Sequence, residues 1–211
     1  MLSVGVVRAS GGRAVADTRR MAADSSDHPT AVGDAYRTLS STTVYRSDWM
    51  RVREDTFVRP DGAVDTYGVV DKENFAIVIA EAADGRFHLV EQFRYAIGKR
   101  SWEFPMGTWP AGHSGTPLEL AQQELLEETG VRAAHWRRIG HHMQQAGGFC
   151  SQGFDLFHAT ELTEGQHDRE DSEADMVQAL VSEADFRAMI REGLIVDAVT
   201  IAAYAMLRLL G

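Results

Sequence analysis

The sequence predicts an α+β fold in which helices pack on a sheet. Runs rich in β-branched and aromatic residues recur between Thr42 and Thr160, which is typical of strands. Three further segments have the apolar spacing of amphipathic helices, one in the middle of the chain and two at its end. Because strand-like and helical segments follow each other in mixed order, a layered α+β arrangement is favoured.

The first 72 residues are expected to form a tail and a small β extension. Residues 1–35 carry few large apolar side chains, so a flexible tail that buries little is expected there. Residues 36–72 are expected to form the N-terminal β extension, with a turn at Arg59–Gly62 between its last two strands. The predicted strands are Thr42–Arg46, Trp49–Val58 and Val64–Val70.

Residues 73–211 are expected to form the main domain. Two apolar runs, Phe75–Ala80 and Phe87–Phe93, are joined by Ala83–Arg86, which predicts a buried β-hairpin. Further strands are expected at Ser101–Pro105, Trp136–Gln145 and Gly153–Thr160, followed by an acidic loop at Glu161–Asp175. The predicted helices are Thr116–Thr129, Glu183–Glu192 and Asp197–Leu210.

Composition excludes several classes of partner. With 21 Lys and Arg against 31 Asp and Glu, the net charge of −10 argues against duplex nucleic acid and against an anionic membrane surface. The single cysteine, Cys150, permits no intrachain disulfide and no cysteine-based zinc site. The low cysteine content fits a reducing compartment, and no apolar run reaches the length of a transmembrane helix, so we expect a cytoplasmic protein. A local basic site for a small phosphate ligand remains compatible with the acidic total.

The helix at Thr116–Thr129 has clear start and stop signals. Thr116 with Glu119 three residues later forms a capping box, and Pro117 stands at the first helical position. Gly130 follows the last helical residue, where a left-handed terminator is usual.

Three carboxylates lie along one edge of this helix. At about 100° per residue, Glu124, Glu127 and Glu128 share one stripe, although like charges at this spacing repel. A solvated helix face would explain them, because Glu is a good helix former. A site for a divalent cation would also explain them, because carboxylate oxygens are the ligands that Mg²⁺ prefers.

The same segment resembles the Nudix box, Gly-x5-Glu-x7-Arg-Glu-U-x-Glu-Glu-x-Gly-U, in which U is a bulky aliphatic residue. Residues 124–131 match its second half at every specified position. The first half departs from the pattern: Gln123 replaces the Arg, Gly115 replaces the upstream Glu, and Gly107 lies two residues too far from the box.

Other segments are similar to ADP-ribose pyrophosphatase-type members of the Nudix family. These segments are Val90–Tyr95 with Trp102–Gly107, Gly148–Ser151 and Asp197–Ala202, so the resemblance covers roughly residues 42–210. It implies a Nudix-type α/β/α sandwich with an N-terminal β-strand extension. It also implies a homodimer, because the extra N-terminal strands commonly build one in that branch.

The resemblance implies a site that holds Mg²⁺, with Mn²⁺ as an alternative. Its expected ligands are Glu124 and Glu128, with Glu127 close by and a backbone carbonyl near Met106. Glu127 and Glu128 are also expected to serve catalysis, together with a carboxylate from the acidic loop. Glu173 is the first candidate for that carboxylate and Glu170 the second, unless the loop is merely solvated.

Two residues before the box are candidate substrate contacts. Arg94 either pairs with a surface carboxylate or binds the pyrophosphate or ribose, for which its guanidinium is well shaped. Glu103 either pairs with Arg94 or accepts a hydrogen bond from the substrate.

The implied reaction is hydrolysis of the diphosphate linkage in a nucleoside diphosphate joined to another group. ADP-ribose or a nucleotide sugar is the favoured small-molecule substrate, and the products would be a nucleoside monophosphate and a sugar phosphate. Two alternatives stay open. One is a Nudix-fold module that binds a nucleotide with little or no catalysis, and the other is a nucleoside triphosphate pyrophosphatase.

Overall fold

A computed structural model describes residues 35–110, 112–165 and 175–211. The structure has the predicted α+β class. The tail was expected over residues 1–35, and all of these except Ala35 lie outside the described residues. The strands are β1 (Arg37–Arg46), β2 (Arg51–Val58), β3 (Val64–Asp71), β4 (Phe75–Ala80), β5 (Phe87–Arg94), β6 (Lys99–Glu103), β7 (Met106–Thr108), β8 (Val131–Gln144), β9 (Gly153–Glu164) and β10 (Val177–Val181). The helices are α1 (Pro117–Thr129), α2 (Glu183–Arg191) and α3 (Ala198–Leu210).

The N-terminal strands form their own antiparallel sheet in the order β1-β2-β3. The turn between β2 and β3 uses Gly62 at φ +84°, a conformation that glycine adopts without steric cost. The sheet is tied to the rest of the protein by backbone hydrogen bonds at Val70. Its N–H donates to Phe149 O at 2.8 Å, and its carbonyl accepts from the Ser151 N–H at 3.0 Å.

The predicted hairpin of Phe75–Ala80 with Phe87–Phe93 is wrong. Strand β4 belongs to a four-stranded sheet, β7-β4-β9-β8, whereas β5 belongs to a three-stranded sheet, β10-β5-β6. The β-pairing between these two described segments is an isolated bridge between Glu81 and Phe87, although side chains of both strands pack in one core. Both edges of β4 are already paired, with β7 and with β9, so the turn carries the chain into the other sheet.

These two sheets separate two layers of helix, which is the predicted α/β/α sandwich. On one side, the rings of Phe104 and Phe186 stack with their centroids 5.3 Å apart, in a core closed by α2 and α3. On the other side, Leu120 and Leu125 of α1 pack against the alternate residues of β4. Burial on both faces explains why β4 is apolar at every position.

The acidic loop begins later than predicted. Glu161–Glu164 continue β9, which pairs with the start of β8 as far as Glu164 opposite Val131. The rest of that loop, residues 166–174, lies outside the described residues. Strand β10 was not predicted, because it has only five residues and no turn-forming residues within it or directly beside it mark its ends. Within the described segments, no helix is both long and apolar enough to cross a bilayer.

Candidate functional site

Helix α1 begins and ends as its sequence predicts. The Thr116 Oγ1 accepts from the Glu119 N–H at 3.2 Å, and the Glu119 Oε2 accepts from the Thr116 N–H at 2.7 Å. At the other end, Gly130 has φ +73° and its N–H donates to Leu126 O at 2.8 Å. Both ends are therefore fixed by local bonds, which sets the orientation of the carboxylates along the helix.

Two of those carboxylates are buried against β7. Glu124 is 8% exposed and Glu128 is 1% exposed. The Met106 N–H donates to Glu128 Oε2 at 3.2 Å. A Cβ on Gly107 would lie 2.4 Å from Glu124 Oε2, so only glycine allows the strand to come this close. A solvated helix face is thus excluded for Glu124 and Glu128.

The departures from the Nudix box have visible structural counterparts. A side chain at Gly115 would begin 2.6 Å from the indole of Trp109, which fills the space that the missing carboxylate would need. The amide of Gln123 donates to Glu127 Oε1 at 2.9 Å, so an uncharged donor stands where the box has Arg. Glu127 is half-buried and held by this bond.

Arg94 and Glu103 form an ion pair across β5 and β6. The Arg94 Nε donates to both oxygens of Glu103 at 3.0 Å, and its Nη2 also donates to Glu103 Oε2. The Glu103 side chain is 3% exposed, whereas 40% of the Arg94 side chain is accessible. Because a large part of the Arg94 side chain stays accessible while it is paired, pairing and substrate contact are compatible.

Electrostatics keep Arg94 charged. Burial lowers the pKa of its guanidinium, but the hydrogen bond to Glu103 and the charges of Glu103, Glu128 and Asp197 raise it by more. Because the charge of Glu128 is one of these causes, Arg94 lies within electrostatic reach of a carboxylate on α1.

A cleft of about 450 Å³ lies beside the Arg94–Glu103 pair and β7. The carboxylates of α1 are not among the described residues that line it, and they adjoin it through Met106 and Gly107. The cleft includes Arg94, Glu103, Met106 and Gly107, all of which the sequence singled out. It also includes four polar residues for which the sequence pattern predicted no site role: Lys72, Gln145, Gln152 and Asp197. The sequence signal at Asp197 is its place directly before a predicted helix, which is the N-cap position. Its side chain does cap α3, because it accepts a hydrogen bond from the Thr200 N–H at 2.6 Å.

The donor set around α1 suits a divalent cation. It consists of two buried carboxylates, Glu124 and Glu128, beside the backbone of β7, whose carbonyl oxygens are, like carboxylates, hard oxygen ligands. Among residues 35–110, 112–165 and 175–211, no three acidic, histidine or cysteine side chains lie close enough to hold an ion by themselves. A complete shell therefore needs backbone, water, substrate or a further carboxylate, as Mg²⁺ sites commonly do.

The acidic-loop candidates, Glu170 and Glu173, lie outside the described residues. Asp175, the first described residue after them, is bound to β6. Arg100 on β6 donates through Nη1 to Asp175 Oδ2 at 2.6 Å and through Nη2 to Asp175 O at 2.9 Å. Residue 175 is thus fixed on the strand that carries Glu103.

Comparison with known families gives two adjoining matches. Residues 36–70 match a family described as the nucleoside diphosphate sugar hydrolase N-terminal domain. Residues 71–199 match the NUDIX domain.

Curated relatives and a solved structure agree with these matches. An ADP-ribose pyrophosphatase of Mycobacterium tuberculosis is 30% identical over 169 residues, which cover 79% of this chain and 80% of the relative. An ADP-ribose pyrophosphatase of Bacillus subtilis is 25% identical over 174 residues, 82% of this chain and 92% of the relative. The crystal structure of an ADP compounds hydrolase has a TM-score of 0.70 at 20% identity, covering 82% of this chain and 92% of the other, and so shares the fold.

Proposed function

The chain belongs to the Nudix family, and from that membership we propose that it hydrolyses the diphosphate linkage of ADP-ribose or a related nucleoside diphosphate sugar. The products would be a nucleoside monophosphate and a sugar phosphate. The observation that carries the proposal is the pair of buried carboxylates, Glu124 and Glu128, against β7 beside the Arg94–Glu103 pair.

Nudix enzymes generally use divalent metal ions, and we propose Mg²⁺ for this one, with Mn²⁺ as a substitute. Glu124 and Glu128 would be direct ligands, with Glu127 and the Met106 carbonyl beside them. When bound, such an ion neutralises the diphosphate and lowers the pKa of the attacking water.

The side chains of the chain itself would orient the substrate and move the proton. The accessible guanidinium of Arg94 would donate to phosphate or ribose oxygens, while the buried Glu103 keeps it in place. A carboxylate would take the proton of the water, and Glu173 is the proposed base, with Glu127 and Glu128 as the other proposed catalytic carboxylates. Most of the rate acceleration would come from positioning and charge stabilisation.

The cleft favours a diphosphate sugar over a triphosphate. Of its described lining residues, Lys72 and Arg94 carry positive charge, and Glu103 and Asp197 carry an equal negative charge. The exposed amide of Gln145 suits the hydroxyl groups of a sugar better than a third phosphate. The retained carboxylates of α1 argue against a module that only binds nucleotides.

A substrate panel tests the proposal. ADP-ribose, other nucleotide sugars, dinucleotides and nucleoside triphosphates are incubated with Mg²⁺ or Mn²⁺, and the products are identified by chromatography. We expect the highest kcat/KM for a nucleoside diphosphate sugar, and loss of turnover after EDTA treatment with recovery on adding the metal. A preference for triphosphates, or full turnover in EDTA, would reject the proposal.

We also propose a homodimer formed through the N-terminal sheet. Two large side chains of this sheet are exposed, Tyr45 at 52% and Val64 at 62%. Tyr45 pairs with Val52 across the sheet, and Val64 pairs with Val58. Contact with a second copy would bury this surface. Sedimentation of the full-length protein is expected to give a dimer at micromolar concentration, and a monomer there would contradict it.

The proposed base makes a separate prediction. Glu173→Gln is expected to lower kcat while the affinity for substrate stays within a few-fold, because the carboxylate would act mainly in the transition state. Asp168→Asn, in the same acidic segment, is the matched control and should be silent. Equal, wild-type kinetics for both variants would remove Glu173 from the mechanism.

A further inference from the structure

The cleft that contains Arg94 has two chemically different ends, which lie on either side of β7. Glu103, the partner of Arg94, comes just before β7 in the chain and so lies at the start of that strand. At the other end of β7, Thr108 pairs with Phe75 of β4. Because the two strands are antiparallel, the residues before Phe75 continue past Thr108, and this path leads to Lys72.

The end near Arg94 offers an apolar surface. Ala96 and Ile97, which follow Arg94 in the chain, line the cleft there together with Val196. The side chains of Ile97 and Val196 are exposed, so a bound molecule can cover them. A nucleobase has apolar faces, and this end of the cleft therefore suits the base half of a nucleoside diphosphate sugar.

The other end is polar, and the main chain that carries Lys72 is held in place there. The Gln152 Nε2 donates to the Glu73 carbonyl at 2.7 Å, and the Ser151 N–H donates to the Val70 carbonyl at 3.0 Å. The main chain is thus bonded on both sides of Lys72. A ligand at this end does not have to order the backbone below the lysine on binding.

The two cations of the cleft differ in how they are paired. Arg94 is bonded to Glu103, whereas no carboxylate in the part of the chain that the structure describes pairs with the Lys72 ammonium. The preceding residue, Asp71, is bound by Arg51 instead. Lys72 is exposed and lines the cleft, so its ammonium group can reach an anionic ligand.

We propose that Lys72 binds the sugar-phosphate half of the substrate and so fixes the direction in which the substrate lies in the cleft. This inference rests on the proposed function. The base would lie on the apolar end, the diphosphate against β7, and the phosphate that carries the sugar beside Lys72. An ammonium group is a compact charge on a long flexible stem, which suits a phosphate whose exact position depends on the sugar.

Two probes separate the halves of the substrate. The α,β-methylene analogue of ADP-ribose has both halves and resists hydrolysis, because a methylene group replaces the bridging oxygen, whereas AMP has only the base half. Each probe is titrated calorimetrically into the full-length protein with Mg²⁺. Lys72→Met keeps the apolar stem and removes the charge, so it is expected to raise the Kd of the analogue at least about fivefold and to leave the Kd of AMP within about twofold.

Lys99→Met is the matched control, because Lys99 is also exposed but is not among the described residues that line the cleft. It should leave both Kd values as in the wild type, and Lys72→Arg, which keeps the charge, should retain most of the affinity for the analogue. An unchanged Kd of the analogue in Lys72→Met, or an equal loss for AMP, would overturn the proposal while the hydrolysis of nucleotide sugars stands. A wild type that binds neither probe and hydrolyses no nucleotide sugar would reject the proposed function, and this inference with it.

Discussion

Glu128→Gln is expected to lower kcat by at least about a hundredfold, which corresponds to about 2.7 kcal/mol of transition-state stabilisation. The side chain is 1% exposed and accepts the Met106 N–H at 3.2 Å. Glutamine has the same size and can keep this hydrogen bond through its carbonyl oxygen. The substitution therefore removes one negative charge from the proposed metal site while the helix and its packing are retained.

The same change at Glu119 is the matched control. Glu119 lies on the first turn of α1, and glutamine also satisfies a capping box, so Glu119→Gln should keep kcat near wild type. Binding of Mn²⁺, followed by electron paramagnetic resonance, gives a second readout that does not depend on turnover. Wild-type kcat and wild-type Mn²⁺ affinity in Glu128→Gln would show that this carboxylate is not a ligand.

The parts of the fold that local sequence determines were predicted well. Helix α1 is specified by Thr116, Pro117 and Gly130, whose bonds all close within a few residues. The pairing of β4 with β9 was not predicted, because it joins Phe75 to Phe154, which are far apart in sequence. A short turn between two apolar runs looks the same whether the runs pair with each other or enter two different sheets.

In the site, too, local sequence predicts the spacing of side chains but not their contacts with distant parts of the chain. The spacing of Glu124 and Glu128 predicts that they share a helix edge, but only the fold shows that this edge is buried against Gly107. The role of Trp109 could not be predicted, because its contact at Gly115 depends on the path of the loop between them. For Arg94, the sequence left pairing and substrate contact open, and the structure shows the pair with Glu103 while 40% of the arginine side chain stays accessible.

The ion pair of Arg94 and Glu103 should respond asymmetrically to mutation. Arg94→Met leaves the Glu103 carboxylate, whose side chain is 3% exposed, buried without its cation. Loss of one partner from a buried pair lowers the free energy of unfolding by about 3 kcal/mol. Glu103→Gln should cost less, because 40% of the Arg94 side chain is exposed and water can solvate the guanidinium.

Activity and stability should then separate in the double variant. Arg94→Met with Glu103→Leu replaces both charges by apolar groups, so most of the lost free energy of unfolding is expected to return. Its kcat/KM should stay as low as that of Arg94→Met, because the proposed donor to the substrate is still missing. Urea unfolding and steady-state kinetics of the wild type, both single variants and the double variant complete the cycle. If the double variant regains activity together with stability, Arg94 has only a structural role; if it regains stability alone, the guanidinium acts on the substrate and Glu103 holds it in place.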